Sequence, residues 1–135
     1  MTIEIEDSSD QNISNLKFSF GYLENIEFQE LGDINQLKPG ESSKLYIKSI
    51  NPTDADLSMY MRYHLKNGEQ NIESLAYLDF KNPIKVVVLA DITKVDDYGY
   101  LFINYKGFNS FTQFDGEINP DRQELKPFII KYKQN

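Results

Sequence analysis

The chain contains no cysteine. That excludes disulfides, a thiolate nucleophile and any cysteine-based zinc or iron–sulfur site. Tryptophan is also absent, His64 is the single histidine, and Arg62 and Arg122 are the only arginines. One histidine cannot form a histidine pair on a metal, and no serine sits in a motif that would use it as a base. There is no GxSxG elbow, phosphate loop, dinucleotide fingerprint or HExxH helix. His64 reads as a surface histidine on a strand. No enzyme and no cofactor are expected from this inventory. Alanine, the best helix former, appears only at Ala55, Ala76 and Ala90, and no segment sustains a 3.6-residue period. No apolar run reaches the length of a transmembrane helix.

Positive charge is scarce. The 135 residues carry 14 Lys and Arg against 21 Asp and Glu, a formal net charge of −7. Nucleic-acid affinity rests largely on Lys and Arg neutralising phosphates, so neither DNA nor RNA is an expected partner. The same sign disfavours electrostatic docking on anionic lipid, though not apolar insertion. It suits a basic protein partner. The opening MTIEIEDSSDQNIS is acidic and has no apolar h-region, so no signal peptide is expected. A cysteine-free chain of this kind fits the cytoplasm, and equally a leaderless or processed secreted protein.

What the chain has in quantity is β-forming residues. Nine Phe and nine Tyr make up 13% of it, and with Ile and Val they favour pleated, half-buried surfaces. The densest apolar run lies within Ser74 to Ile92. From Ile84, alternate residues Val86, Val88, Ala90 and Ile92 share one face, while Val87 and Leu89 make the other face apolar as well. That pattern predicts a strand interior to a sheet, with Pro83 at its entrance. Leu57 to Leu65 alternates cleanly and is followed by Asn67-Gly68, a strong hairpin signal, so it should pair antiparallel with a strand beginning near Ile72 or Ser74. Pro39-Gly40 predicts a turn feeding a strand from Lys44 to Ile50.

Other short strands are expected at Thr2–Glu6, at a sheet edge, and from Leu16 to Glu30 as two strands with a bend or bulge at Gly21. A helix from Leu23 is the rival reading of the latter. Tyr100–Tyr105 and Pro127–Tyr132 complete the set. About eight strands separated by turns predict one all-β domain spanning the chain, an antiparallel sandwich of the C2, immunoglobulin or jelly-roll kind.

The sharpest candidate for function is the stretch Gly107 to Gly116. Phe108, Phe111 and Phe114 recur every third residue among Asn, Ser, Thr and Gln, with Tyr98 and Tyr100 close by in sequence. Exposed at one end of a sandwich, such rings stack on sugar faces or wedge into a bilayer interface. Alternatively the same phenylalanines plug the end of the core. A second candidate is a sheet face carrying Tyr46, Tyr60, Arg62 and His64, types enriched in binding hot spots. Oxygen-rich loops that could suit calcium occur at Asp54/Asp56, Asp91 with Asp96/Asp97, and Asp115/Glu117. No EF-hand spacing occurs, and Asp favours turns for its own reasons, so no metal site is expected.

The leading expectation is a non-catalytic module that recognises carbohydrate or lipid through Phe108, Phe111, Phe114, Tyr98 and Tyr100. The alternative is an acidic interaction component, such as an accessory subunit, inhibitor or immunity protein, that binds a protein partner.

Overall fold

The computed structural model describes residues 1–22, 25–47, 57–78, 86–108 and 113–120. Among these it contains nine strands and no α-helix: β1 Thr2–Asp7, β2 Ile13–Tyr22, β3 Asn25–Leu37, β4 Ser42–Tyr46, β5 Leu57–His64, β6 Gln70–Leu78, β7 Val87–Val95, β8 Leu101–Phe108 and β9 Gln113–Ile118. They form two sheets, ordered β4-β1-β7-β8-β9 and β3-β2-β5-β6. The fold is an all-β sandwich. No helix among the described residues is long and apolar enough to cross a membrane.

Alternation builds the core. Ile3 and Ile5, then Val86, Val88, Ala90 and Ile92, then Leu101 and Ile103 turn inward from the five-stranded sheet. Leu16, Phe18, Phe20, Met59, Met61, Tyr63 and Leu75 face them from the other. Together they make one buried cluster. Each fully buried Phe or Leu contributes roughly 1.5–3 kcal/mol by leaving water. Val87 and Leu89, on the opposite face of β7, are half-buried. The expected interior strand is therefore present, flanked by β1 and β8. Ile84 and Pro83, and the expected strand Pro127–Tyr132, lie outside the described residues, as do Asp54 and Asp56.

Several expected boundaries move. β1 is not an edge strand: it pairs antiparallel with β4 and parallel with β7. The sandwich is therefore mixed rather than purely antiparallel. The turn at Lys38–Glu41 is present, with Gly40 at φ 85° and Glu41 N–H bonded to Lys38 O at 2.9 Å. β3 however runs on to Leu37, because Ile34 and Leu37 are buried core residues. The rival helix from Leu23 does not form, and Asn25–Leu37 is strand.

β3 is irregular near its start. Phe20 pairs with Gln29 but Tyr22 with Asn25, so β3 spends extra residues there. The surplus segment arches over the outer face of β2, so close to Gly21 that a Cβ there would strike the Asn25 carbonyl. The bulge was expected at Gly21, and its consequence falls on Arg62. This arginine, on the outer face of β5, is only 4% exposed. Its guanidinium is held by Glu27 and Glu30 of β3. The expected face of Tyr46, Tyr60, Arg62 and His64 is not assembled, because Tyr46 belongs to the other sheet and Arg62 is buried.

Candidate functional site

The predicted aromatic residues are dispersed. Tyr98 and Tyr100 lie at the β7–β8 turn. Phe108 ends β8, about 23 Å further along at the usual strand rise, and so at the far end of the sheet. Gly107, Phe108 and Gln113 to Gly116 are strand residues: β8 and β9 pair antiparallel, with Gly107 opposite Phe114 and Phe108 opposite Gln113. Phe114 therefore shares the inward face of Gly107, while Phe108 points outward. A Cβ on Gly107 would run into the Phe114 ring, and one on Gly116 into the Tyr105 ring. Each ring covers a gap that a glycine leaves on the inner face, a known device for sheet glycines. Phe114 thus packs against the core, the alternative that the sequence also allowed. Phe111 lies outside the described residues. Of the four predicted residues that are described, Tyr98 and Tyr100 share one place, and Phe108 and Phe114 do not join them.

The turn that carries them is tightly organised. The Asp96 carboxylate accepts the N–H groups of Tyr98 and Tyr100, each at 2.9 Å. Gly99, at φ 94°, sits against Lys66, where an added Cβ would meet the Lys66 nitrogen at 3.0 Å. Lys66 N–H donates to Tyr98 O at 3.0 Å, joining this turn to the β5–β6 hairpin tip of the other sheet. That tip forms at Asn67-Gly68 as expected, with Leu65 N–H bonded to Glu69 O at 2.8 Å.

Another concave surface lies on the outer face of the five-stranded sheet. Strand register sets it out in rows. One row is Lys44, Glu4, Leu89, Lys106 and Asp115; the next is Ser42, Glu6, Asp91, Asn104 and Glu117. A third row on the same face is Tyr46, Thr2, Val87, Phe108 and Gln113. Directly opposed residues share a face, so all these side chains project outward. A hollow of about 720 Å3 lies over the first two rows, and its lining includes Glu4, Glu6, Asp91, Lys106, Asp115 and Glu117. Leu89 gives it an apolar floor.

Five carboxylates thus meet one lysine in the lining. Lys44 approaches Glu4 at 3.7 Å, and Ser8 Oγ donates to Asp91 at 2.6 Å. Burial, then the nearby Asp115 charge, pushes the Tyr105 hydroxyl above its ordinary range. Asp91, Asp115 and Glu117 are strand residues rather than the loop ligands considered for calcium. Asp91 and Glu117 stand two strands apart, roughly 10 Å at normal sheet spacing. Among the described residues no group of three or more His, Asp or Glu is placed to hold a metal ion.

The sequence signal for this face is the alternating charge of β1 and β9, Glu4 with Glu6 and Asp115 with Glu117, joined by Asp91 of β7. It went unread because the strands had not been ordered. No protein-family model, curated protein or solved structure matches this chain.

Proposed function

We propose that the protein is a non-catalytic interaction module whose outer five-stranded face binds a basic segment of a protein partner. The observation that carries this reading is the acidic hollow itself, with five carboxylates around an apolar floor. Acidic residues on neighbouring strands repel one another, so the face stores unfavourable charge that a cationic partner relieves. The overall charge of −7 adds long-range attraction for such a partner.

The carbohydrate reading keeps one support, the half-buried Phe108 beside Gln113 at the end of the same face. An aromatic ring flanked by an amide and carboxylates suits a sugar. Anionic lipid is disfavoured by the sign of the face.

Charge reversal separates these readings. Tagged wild type and a Glu6→Lys/Glu117→Lys variant would serve as bait in the native source, across a salt series. An identified basic partner that weakens with salt and is lost at least about 10-fold by the variant supports the proposal. Salt-insensitive binding to a glycan array, abolished by Phe108→Ala and kept by the lysine variant, would replace it with the carbohydrate reading.

A further inference from the structure

The two hairpin tips, one from each sheet, enclose a second hollow of about 380 Å3 lined by Leu65, Lys66, Asn67, Glu69, Asp97, Tyr98 and Tyr100. It lies away from the acidic face and does not depend on the basic-partner reading. We propose that this hollow is a binding site for a methylated or quaternary ammonium head, held between the Tyr98 and Tyr100 rings and the carboxylates of Glu69 and Asp97.

Three observations support it. The first is the exposure of Tyr98, at 73%. A large ring left in water on a turn that is fully hydrogen-bonded contributes little to folding. Its backbone is nevertheless fixed by Asp96 and by the contact of Gly99 with Lys66. The turn that carries the ring is therefore already in place, and a site on a fixed backbone loses less entropy on binding. The second is the sign of the field. The lining carries two carboxylates and one lysine, and beyond it Asp96 and Glu73 add to the negative potential at Tyr100. Burial first, then Glu69, Asp96 and Glu73, hold the Tyr100 hydroxyl above its ordinary range. The third is the chemistry of the lining. Aromatic faces attract cations through the ring quadrupole, and organic ammonium groups with low hydration cost are favoured. A bare divalent ion needs more oxygens than this lining supplies, and an anion meets the wrong charge.

Choline and its neutral isostere 3,3-dimethylbutan-1-ol differ in charge but hardly in shape. Titration of the full chain followed by amide NMR shifts should show choline moving Lys66, Asn67 and Tyr98–Tyr100 saturably, with the isostere at least about 10-fold weaker. Tyr98→Ala should weaken choline roughly 3- to 30-fold, the range expected of one cation–π contact. Its melting temperature should stay that of wild type, because the ring is exposed. Glu69→Gln should weaken choline and reduce its salt dependence. An ε-trimethyl-lysine peptide run in parallel tells a free ammonium from one carried on a protein side chain. No saturable shift by choline up to about 50 mM, an equal response to the isostere, or undiminished binding to Tyr98→Ala would each overturn the proposal.

Discussion

The hydroxyl of Tyr63, on β5 of the four-stranded sheet, accepts a hydrogen bond from the backbone N–H of Leu101 on β8 of the other sheet, at 3.0 Å. Asn71 Nδ2 donates to the same oxygen at 2.9 Å. A polar link therefore crosses between the sheets, next to the hairpin tips. Tyr63→Phe keeps the ring but leaves the buried Leu101 N–H unpaired. The expected loss is about 1–3 kcal/mol, read from urea denaturation.

The same hydroxyl gives a pH dependence. Burial, the dominant cause, raises its pKa well above the ordinary tyrosine value. The unfolded chain ionises near pH 10 and the folded chain only higher. Below about pH 10 both states hold the proton and the contribution is complete. As pH rises further the unfolded state releases its proton first, so stability falls toward the folded pKa. Urea midpoints above pH 10 should therefore drop, and should drop less steeply in Tyr63→Phe. Tyr100 and Tyr105, also raised, retain the remaining slope.

Phe114 and Gly107 should be energetically coupled. Phe114→Ala is expected to cost about 2 kcal/mol, below the 3–5 kcal/mol of a fully buried Phe because this ring is half-buried. Gly107→Val should cost at least as much, since its side chain claims the space of the ring. The double variant should be more stable than the sum of the two losses implies, and thermal melts of all three proteins check it. Simple additivity would mean that the ring does not sit over the glycine.

Arg62 predicts an asymmetry. Removing Glu27 and Glu30 together, as Gln, strands a buried cation. The expected cost is about 2 kcal/mol, less than for a fully buried pair because both glutamates are 55% exposed and water screens them. Arg62→Met removes the charge along with its burial cost and keeps an apolar stem, so it should be milder. Chemical denaturation in low salt compares the two. A costlier Arg62→Met would refute this account.

Much of the sandwich was legible because one-dimensional alternation reports burial directly. Met59, Met61 and Tyr63, or Val86 to Ile92, state their inward face without knowledge of neighbours. The turns at Pro39-Gly40 and Asn67-Gly68 were legible for the same local reason. What depended on long-range pairing was hidden. Nothing local tells that Thr2–Asp7 runs beside Val87–Val95 in parallel, so the sequence alone suggests an edge strand there and does not place Glu4 and Glu6 beside Leu89 and Asp91. The every-third-residue spacing of Phe108, Phe111 and Phe114 suggested one cluster. In a hairpin, registry decides the faces, and it sends Phe108 and Phe114 to opposite sides.

The parallel pairing of β1 and β7 also has a temporal consequence. Ser8 and Asp91, hydrogen-bonded across it, are 83 residues apart in the chain. The β2–β3 and β5–β6 hairpins close between near neighbours and can form early. β1 gains its β7 partner only once the intervening strands exist, and loop closure over that span delays it further. During synthesis β1 thus waits for its parallel partner until β7 has been made. Slow folding and a need to keep Ile3 and Ile5 from other strands are the expected result.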